Sequence, residues 1–169
     1  MDNSQITIRP IYDWDLVQLN QIRTREDVCM NILALPTETL KETKDYFFDN
    51  PHFIHTFVAV NQNNKEKDVI GYVRLLQYQE VRLHHRGKIS IAIDPTYHQC
   101  GVGTKLLAKI IDYAKKWMRL EKLELTVLEN NEKAIGLYKK FGFEIEGIFK
   151  KDTLVDGNYE NVVFMSLML

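Results

Sequence analysis

The order of elements between Ile89 and Val127 constrains this chain most. A β-branched run, Ile89-Ser90-Ile91-Ala92-Ile93, stops at Asp94-Pro95, passes through a loop holding two glycines and gives way to a long amphipathic stretch. In that stretch Leu106, Leu107, Ile110, Ile111, Ala114, Trp117 and Met118 recur on one broad helical face. A second alternating run, Leu123-Glu124-Leu125-Thr126-Val127, follows. Two strands joined by one helix close as a right-handed crossover, which lays them parallel and side by side.

The rest of the chain reads as strands and helices gathered round that pair. Ile6, Ile8 and Pro10 alternate as a short first strand, and Asp13 is placed to cap a helix carrying Leu16, Leu19 and Ile22. Pro36-Thr37-Glu38-Thr39 can start a second helix, with Leu40, Phe47 and Phe48 toward the core and Asn50-Pro51 as its stop. Phe57 to Val60 and Val69 to Leu76 are β-branched or aromatic runs, joined by a polar stretch, Asn61 to Asp68, that reads as a hairpin turn. Asn131 can cap a helix bearing Ala134, Ile135, Leu137 and Tyr138, and Gly142 suits its end. Asp156-Gly157 marks a hairpin between two last strands. The expected class is α+β: a mixed, mostly antiparallel sheet of about seven strands, about four helices and a parallel central pair. With 169 residues and no internal repeat, a single domain is expected.

Charge narrows the function classes. Twenty-two Lys and Arg against 23 Asp and Glu leave a formal net charge of −1, which argues against nucleic acid or an anionic membrane as the main partner. No apolar run reaches the ~20 residues of a membrane span, and Met1-Asp2-Asn3-Ser4-Gln5 lacks the features of a signal peptide. A cytoplasmic protein is expected, with Cys29 and Cys100 as reduced thiols.

The loop His98-Gln99-Cys100-Gly101-Val102-Gly103-Thr104 joins a strand to the long helix. There the free backbone N–H groups and the positive end of the helix dipole favour an anion, and the glycines allow close approach. A dinucleotide-binding G-x-G-x-x-G would need a third glycine where Leu106 stands. A P-loop would need Gly-Lys followed by Ser or Thr, whereas the order here is Gly103-Thr104-Lys105. Neither motif is present.

The loop instead resembles the acetyl-CoA pyrophosphate loop of the GNAT N-acetyltransferases, whose pattern is Gln or Arg, two residues, Gly, one residue, then Gly or Ala. The likeness extends to Ile91-Ala92-Ile93-Asp94-Pro95, to Leu123-Glu124-Leu125-Thr126-Val127 and to Asn131-x-x-Ala134-x-x-Leu137-Tyr138-x-Lys140-x-Gly142-Phe143. Within the family the chain looks most like the bacterial L-amino acid N-acyltransferase group, through Asn31-x-Leu33-x-x-Pro36, Trp117-x-Arg119, Glu144-Ile145-Glu146-Gly147 and Asp156-Gly157-x-Tyr159. Two positions depart from the family. His98 stands at the first loop position, and Thr126 stands where protein-acetylating members often carry a glutamate base.

The resemblance implies a GNAT-like fold, acetyl-CoA as co-substrate and no metal. It assigns cofactor contacts to the backbone of Ile91, Ala92 and Ile93, to the loop residues His98, Gln99, Cys100, Gly101, Val102, Gly103 and Thr104, and to Asn131, Ala134, Tyr138 and Lys140. Acyl transfer to an amine needs a proton for the departing thiolate, and the Tyr138 phenol, protonated at neutral pH, is the candidate acid. Glu80, His84 and His85 lie on the approach to the central strand as candidate bases or positioning groups, with His85 preferred. Cys100, on the phosphate side of the loop, reads as an inert contact rather than a nucleophile, while Lys105 and Lys140 are candidate counter-charges. An acceptor pocket is expected near Asn31 to Pro36, with Leu33, Leu35, Tyr78 and Tyr159 as lining.

The acceptor is expected to be a small-molecule amine, an amino acid first, and a homodimer is common in the group. A protein N-terminus or lysine is the second reading, which Thr126 disfavours. A non-catalytic acyl-CoA-binding module is the third, which Tyr138 disfavours.

Overall fold

A computed structural model describes residues 5–63 and 68–169. Seven strands form one sheet in the order β1-β2-β3-β4-β5-β7-β6, with β1 at Ile6–Pro10, β2 at Ile54–Asn61, β3 at Val69–Gln77, β4 at Arg86–Ile93, β5 at Lys122–Leu128, β6 at Glu144–Val155 and β7 at Asn158–Met168. Five α-helices accompany them among the described residues: α1 (Leu16–Thr24), α2 (Glu26–Cys29), α3 (Leu40–Phe48), α4 (Val102–Lys116) and α5 (Glu132–Lys140). This is the expected α+β class, and β4 and β5 are the parallel pair. Every other pairing is antiparallel.

The two faces of the sheet bury different cores, because side chains alternate along each strand. On one face Val73, Leu75, Ile89, Leu123 and Leu125 pack under Leu106, Leu107 and Ile110 of α4. On the other, Val58, Val60, Tyr72 and Ala92 pack under Leu19 and Ile22 of α1 and Phe47 of α3. Among the described residues no helix is long and apolar enough to cross a membrane.

Several helix boundaries differ from the sequence reading. Asp13 does not cap α1: residues 13–15 form a 3-10 turn, and the buried carboxylate of Asp15 accepts the Tyr12 N–H at 2.8 Å while holding Arg9 through two bonds of 2.7 Å. The helix expected from Pro36 begins at Leu40, where Thr39 and Glu42 form a reciprocal capping box. Leu40 is exposed as a result, while Phe47 is buried and Phe48 half-buried. The single-turn helix α2 was unanticipated, since four residues show no periodicity. Trp117 lies at the C-cap of α4, 77% exposed, outside the apolar face on which it was counted. Residues 64–67 of the β2–β3 turn lie outside the described residues, yet Asn61 N–H donates to the Asp68 carbonyl at 2.9 Å, as a hairpin requires.

Local chemistry explains the ends that match. Gly142 adopts φ +89°, its N–H donates to Lys139 O and that of Phe143 to Tyr138 O, the double closure of a Schellman motif. Asp156 and Gly157 both adopt positive φ between the paired residues Val155 and Asn158.

The parallel pairing of β4 with β5 covers Arg86–Lys88 against Lys122–Glu124 and no further. Beyond Lys88 the strands separate. The closed end is clamped by Arg86, whose Nε and Nη2 donate to the two oxygens of buried Glu124 at 2.7 and 2.8 Å. Removing one partner strands a buried charge, whereas removing both does not. Arg86→Met should cost about 2–3 kcal/mol, less than a fully buried pair because the guanidinium retains water access, and adding Glu124→Met should restore more than half, measured by urea unfolding.

Candidate active site

The separation of β4 from β5 opens a cleft of about 1240 Å³, walled by Ile89 to Ile93 on one side and Thr126, Val127 and Leu128 on the other. The β4 edge facing it has lost its ladder partner, so backbone donors and acceptors line the gap. At one end stands the N-terminus of α4. Gly101 enters it at φ +78° and no side chain caps it, unlike α3, capped by Thr39, and α5, capped by Asn131. Its first N–H groups therefore remain for a ligand. Gly103 lets the turn seat closely: a Cβ there would come within 2.8 Å of Leu137 Cδ2 and 3.2 Å of Ile93 Cδ1.

Tyr138 projects from α5 into the same cleft. It is 6% exposed, packs against Phe143 and has no hydrogen-bond partner for its hydroxyl among the described residues. Burial pushes its phenol well above the ordinary range, so it stays protonated. The ring is buried, but the hydroxyl opens to the cleft as a neutral O–H that can donate a hydrogen bond to whatever lies there.

The chain matches the acetyltransferase (GNAT) family over residues 16–143. The chain belongs to this family. It is 30% identical over 163 residues to the L-amino acid N-acetyltransferase AaaT of Escherichia coli K12, covering 96% of this chain and 98% of that protein. It is also 30% identical to the spermidine N(1)-acetyltransferase of the same strain, over 96% of this chain and 85% of that one. Its structure resembles that of spermidine N-acetyltransferase from Vibrio cholerae in complex with CoA and spermine, with a TM-score of 0.83 and 25% identity over 98% of this chain and 96% of that one.

With one exception, the residues assigned to the GNAT cofactor line the cleft: Ile91, Ala92, Ile93, His98, Gln99, Gly101, Val102, Gly103, Thr104, Asn131, Ala134, Tyr138 and Lys140. The exception is Cys100, half-buried beside the main core with its thiol near the His98 carbonyl. His98 does not reach outward. Its Nε2 lies 3.2 Å from the Ile93 carbonyl and ties the loop to the end of β4. Lys105 is turned elsewhere, donating to the Ile6 carbonyl at 2.9 Å.

Asn131 is engaged twice. Its Oδ1 accepts the Ala134 N–H at 3.1 Å, capping α5, and its Nδ2 donates to Asn31 Oδ1 at 3.0 Å. It braces the cleft, in place of the free donor and acceptor expected of it.

Glu80 and His85 are not brought to the cleft. Both are exposed, and His85 precedes β4 at its closed end, where its carbonyl accepts from Glu121 and Lys122. His84 is bound to the Gln79 carbonyl at the same end. The hairpin leads into the start of β4, whereas the cleft opens at its finish. The loop expected on the acceptor side does line the cleft, through Asn31, Ile32 and Leu33, as do Phe149, Asp152 and Thr153 of β6 and Val162 of β7. Of the four side chains named for the lining only Leu33 is there, Leu35 and Tyr159 being exposed elsewhere and Tyr78 lying near the Arg86 guanidinium.

A further wall of the cleft, on the α1 and α3 side, is built from residues the sequence alone did not single out. Tyr46 on α3 lies between two guanidinium groups, Arg23 at 3.8 Å and Arg74 at 4.2 Å from its ring centroid, and its hydroxyl is 2.6 Å from Ser90 Oγ. Arg23 is neutralised by a bidentate pair with Glu38 and donates to Tyr72 Oη at 2.7 Å. Burial is the largest influence and would lower its pKa, but the Glu38 bond together with Tyr72 and Tyr46 outweighs it and the pKa rises. Arg74 donates Nε to the Tyr46 carbonyl at 2.8 Å, and burial pulls its pKa below the ordinary value. One signal was available: Arg74 interrupts the apolar run Tyr72-Val73-Arg74-Leu75-Leu76. Lys133, seven residues before Lys140 on the same stripe of α5, also lines the cleft and interrupts no apolar run that would have marked it.

The bracing role of Asn131 is separable by substitution. Asn131→Ala should lower stability by about 1 kcal/mol, while Asn131→Asp, which keeps the capping oxygen, should stay within a few tenths, as read from thermal melts.

Proposed function

We propose that this protein transfers an acetyl group from acetyl-CoA to the primary amine of a small molecule, an amino acid, by direct attack within a ternary complex. The observation that carries the reading is the unpartnered Tyr138 hydroxyl in a cleft whose other wall is an unpaired strand edge. Acetyl-CoA fits these surroundings. The uncapped turn at Gly101 to Thr104 offers N–H groups to its pyrophosphate, and the edge at Ile91 to Ile93 offers pairing to the amides of its pantetheine arm. Lys133 and Lys140 add positive charge on the α5 side. The setting proposed is the cytoplasm, where Cys29 and Cys100 stay reduced.

In the reaction the neutral amine attacks the thioester carbonyl, the C–N bond forms and the C–S bond breaks. The amine gives its proton to water, since neither Glu80 nor His85 reaches the cleft. Tyr138 donates its proton to the departing thiolate and regains one from solvent. Backbone N–H groups on the open β4 edge stabilise the charge that develops on the carbonyl oxygen.

Spermidine is the second reading. It is supported by the similarity to spermidine acetyltransferases and by Asp27 and Asp152 in the cleft lining. The amino acid reading is supported by similarity to AaaT and by the arginine-rich acceptor side.

Four outcomes test this function. Acetyl-CoA at about 100 times its Kd should stabilise the fold by about 2.7 kcal/mol, seen as a rise in Tm; no rise removes the premise. Tyr138→Phe should retain that rise and lower kcat by about 100-fold or more, measured by free-thiol release. Because the phenol is held above its ordinary value, the rate should climb as the acceptor amine deprotonates, with no loss from Tyr138 ionisation up to about pH 10. His85→Ala and Glu80→Gln should leave that pH profile unchanged.

A further inference from the structure

We propose that Arg74 and Lys88 form the subsite that binds the carboxylate of the acceptor, making the enzyme selective for amines that carry an acid group beside the amine. This rests on the acetyltransferase reading and adds to it the chemistry by which the acceptor is recognised.

The register places these cations together. Arg74 on β3 pairs opposite Ser90 on β4, and Leu76 pairs opposite Lys88, so Arg74 and Lys88 are diagonal neighbours on one face of adjacent strands. All four line the cleft. Neither cation has a carboxylate partner among the described residues. Of the carboxylates around the cleft, Glu38 is held by Arg23, Glu124 by Arg86 and Asp27 by Arg25, each through two bonds, and Asp152 on β6 makes no ion pair with either cation.

Arg74 spends one donor, Nε, on the Tyr46 carbonyl, and its ring contact with Tyr46 orients the guanidinium plane. No hydrogen bond occupies its terminal nitrogens among the described residues. A half-buried guanidinium with free terminal donors and no counter-ion is costly unless an anion arrives, and a carboxylate matches its fork. Ser90, opposite Arg74, is already on the open part of β4, so an acid held on Arg74 leaves its neighbouring amine beside the thioester path. A polyamine would meet the same two cations at this subsite, with Asp27 and Asp152 elsewhere in the lining as its counter-charges.

The test compares the best acceptor from the twenty amino acids with its own carboxamide and with spermidine, by free-thiol release. The wild type should favour the acid over the amide by about tenfold or more in kcat/KM, the scale of one charged hydrogen bond. Arg74→Met should raise KM for the acid by about tenfold to a hundredfold, change kcat less, bring acid and amide close together and leave acetyl-CoA binding intact. Arg74→Lys should recover part of the loss. Lys88→Met, which removes no side-chain hydrogen bond or ion pair among the described residues, should give a smaller loss of the same kind and carries the test if Arg74→Met does not fold.

Equal use of acid and amide by the wild type, a preference for spermidine, or an equal loss on both acceptors in the variants would overturn the subsite while leaving acetyl transfer intact. Absence of thiol release with every acceptor would instead overturn the underlying activity.

Discussion

The early end of one strand pairing organises this protein. Parallel strands joined by a crossover helix ordinarily share their ladder, yet here β4 and β5 share it for three residue pairs and then part. The backbone groups left on β4 must find partners, because unmet donors and acceptors beside a core are costly. A ligand that lies along the edge as another strand supplies them. The same separation leaves space between the strand ends for Tyr138, and the crossover delivers the N-terminus of α4 to the same place. Strand edge and helix end converge because one connection sets both, and α5, which follows β5 directly, brings the phenol to the same gap.

What keeps the split from spreading is electrostatic. Arg86 and Glu124 span the pair where it is still joined, and Glu124 is buried. A buried carboxylate in such a fork holds geometry more than it adds stability, since the Coulombic gain largely offsets desolvation. Elsewhere the chain neutralises buried charge in the same way, at Arg9 with Asp15 and at Arg23 with Glu38. Against that habit, the unmatched cations in the cleft stand out, and the formal net charge of −1 gives no hint of them.

Features governed by chemistry within a few residues could be read from the sequence. Gly142 and Asp156-Gly157 need positive φ and have it, the glycine loop meets α4 where expected, and the crossover forces the parallel pair. Errors arose where two nearby residues could do the same task. Asp15 rather than Asp13 receives the backbone N–H at the first turn, because Arg9 from β1 fixes its carboxylate; Thr39 rather than Pro36 starts α3, because Glu42 completes its box. Asn131 was expected to serve a ligand through donor and acceptor, but the helix end and Asn31 claim both. Nothing local in the sequence announces Asn31, a hundred positions away.

Glu80 and His85 illustrate a different limit. Their chemistry suits proton transfer and they adjoin the central strand, but a strand has two ends and this pair lies at the wrong one. Residue type cannot say which end, whereas direction can: the strands part at Lys88, so groups that serve the cleft must lie at or beyond that point on β4 or arrive from neighbouring elements. Tyr46 and Arg23 arrive from α3 and α1, and Arg74 from the strand alongside. Applied to β3, alternation would have placed Arg74 on the face of Tyr72, under α1 and α3, where a charge without a partner has no packing reason to be. The polar residue that breaks an apolar strand on its helix-covered face was therefore the more informative signal than the histidines in the hairpin.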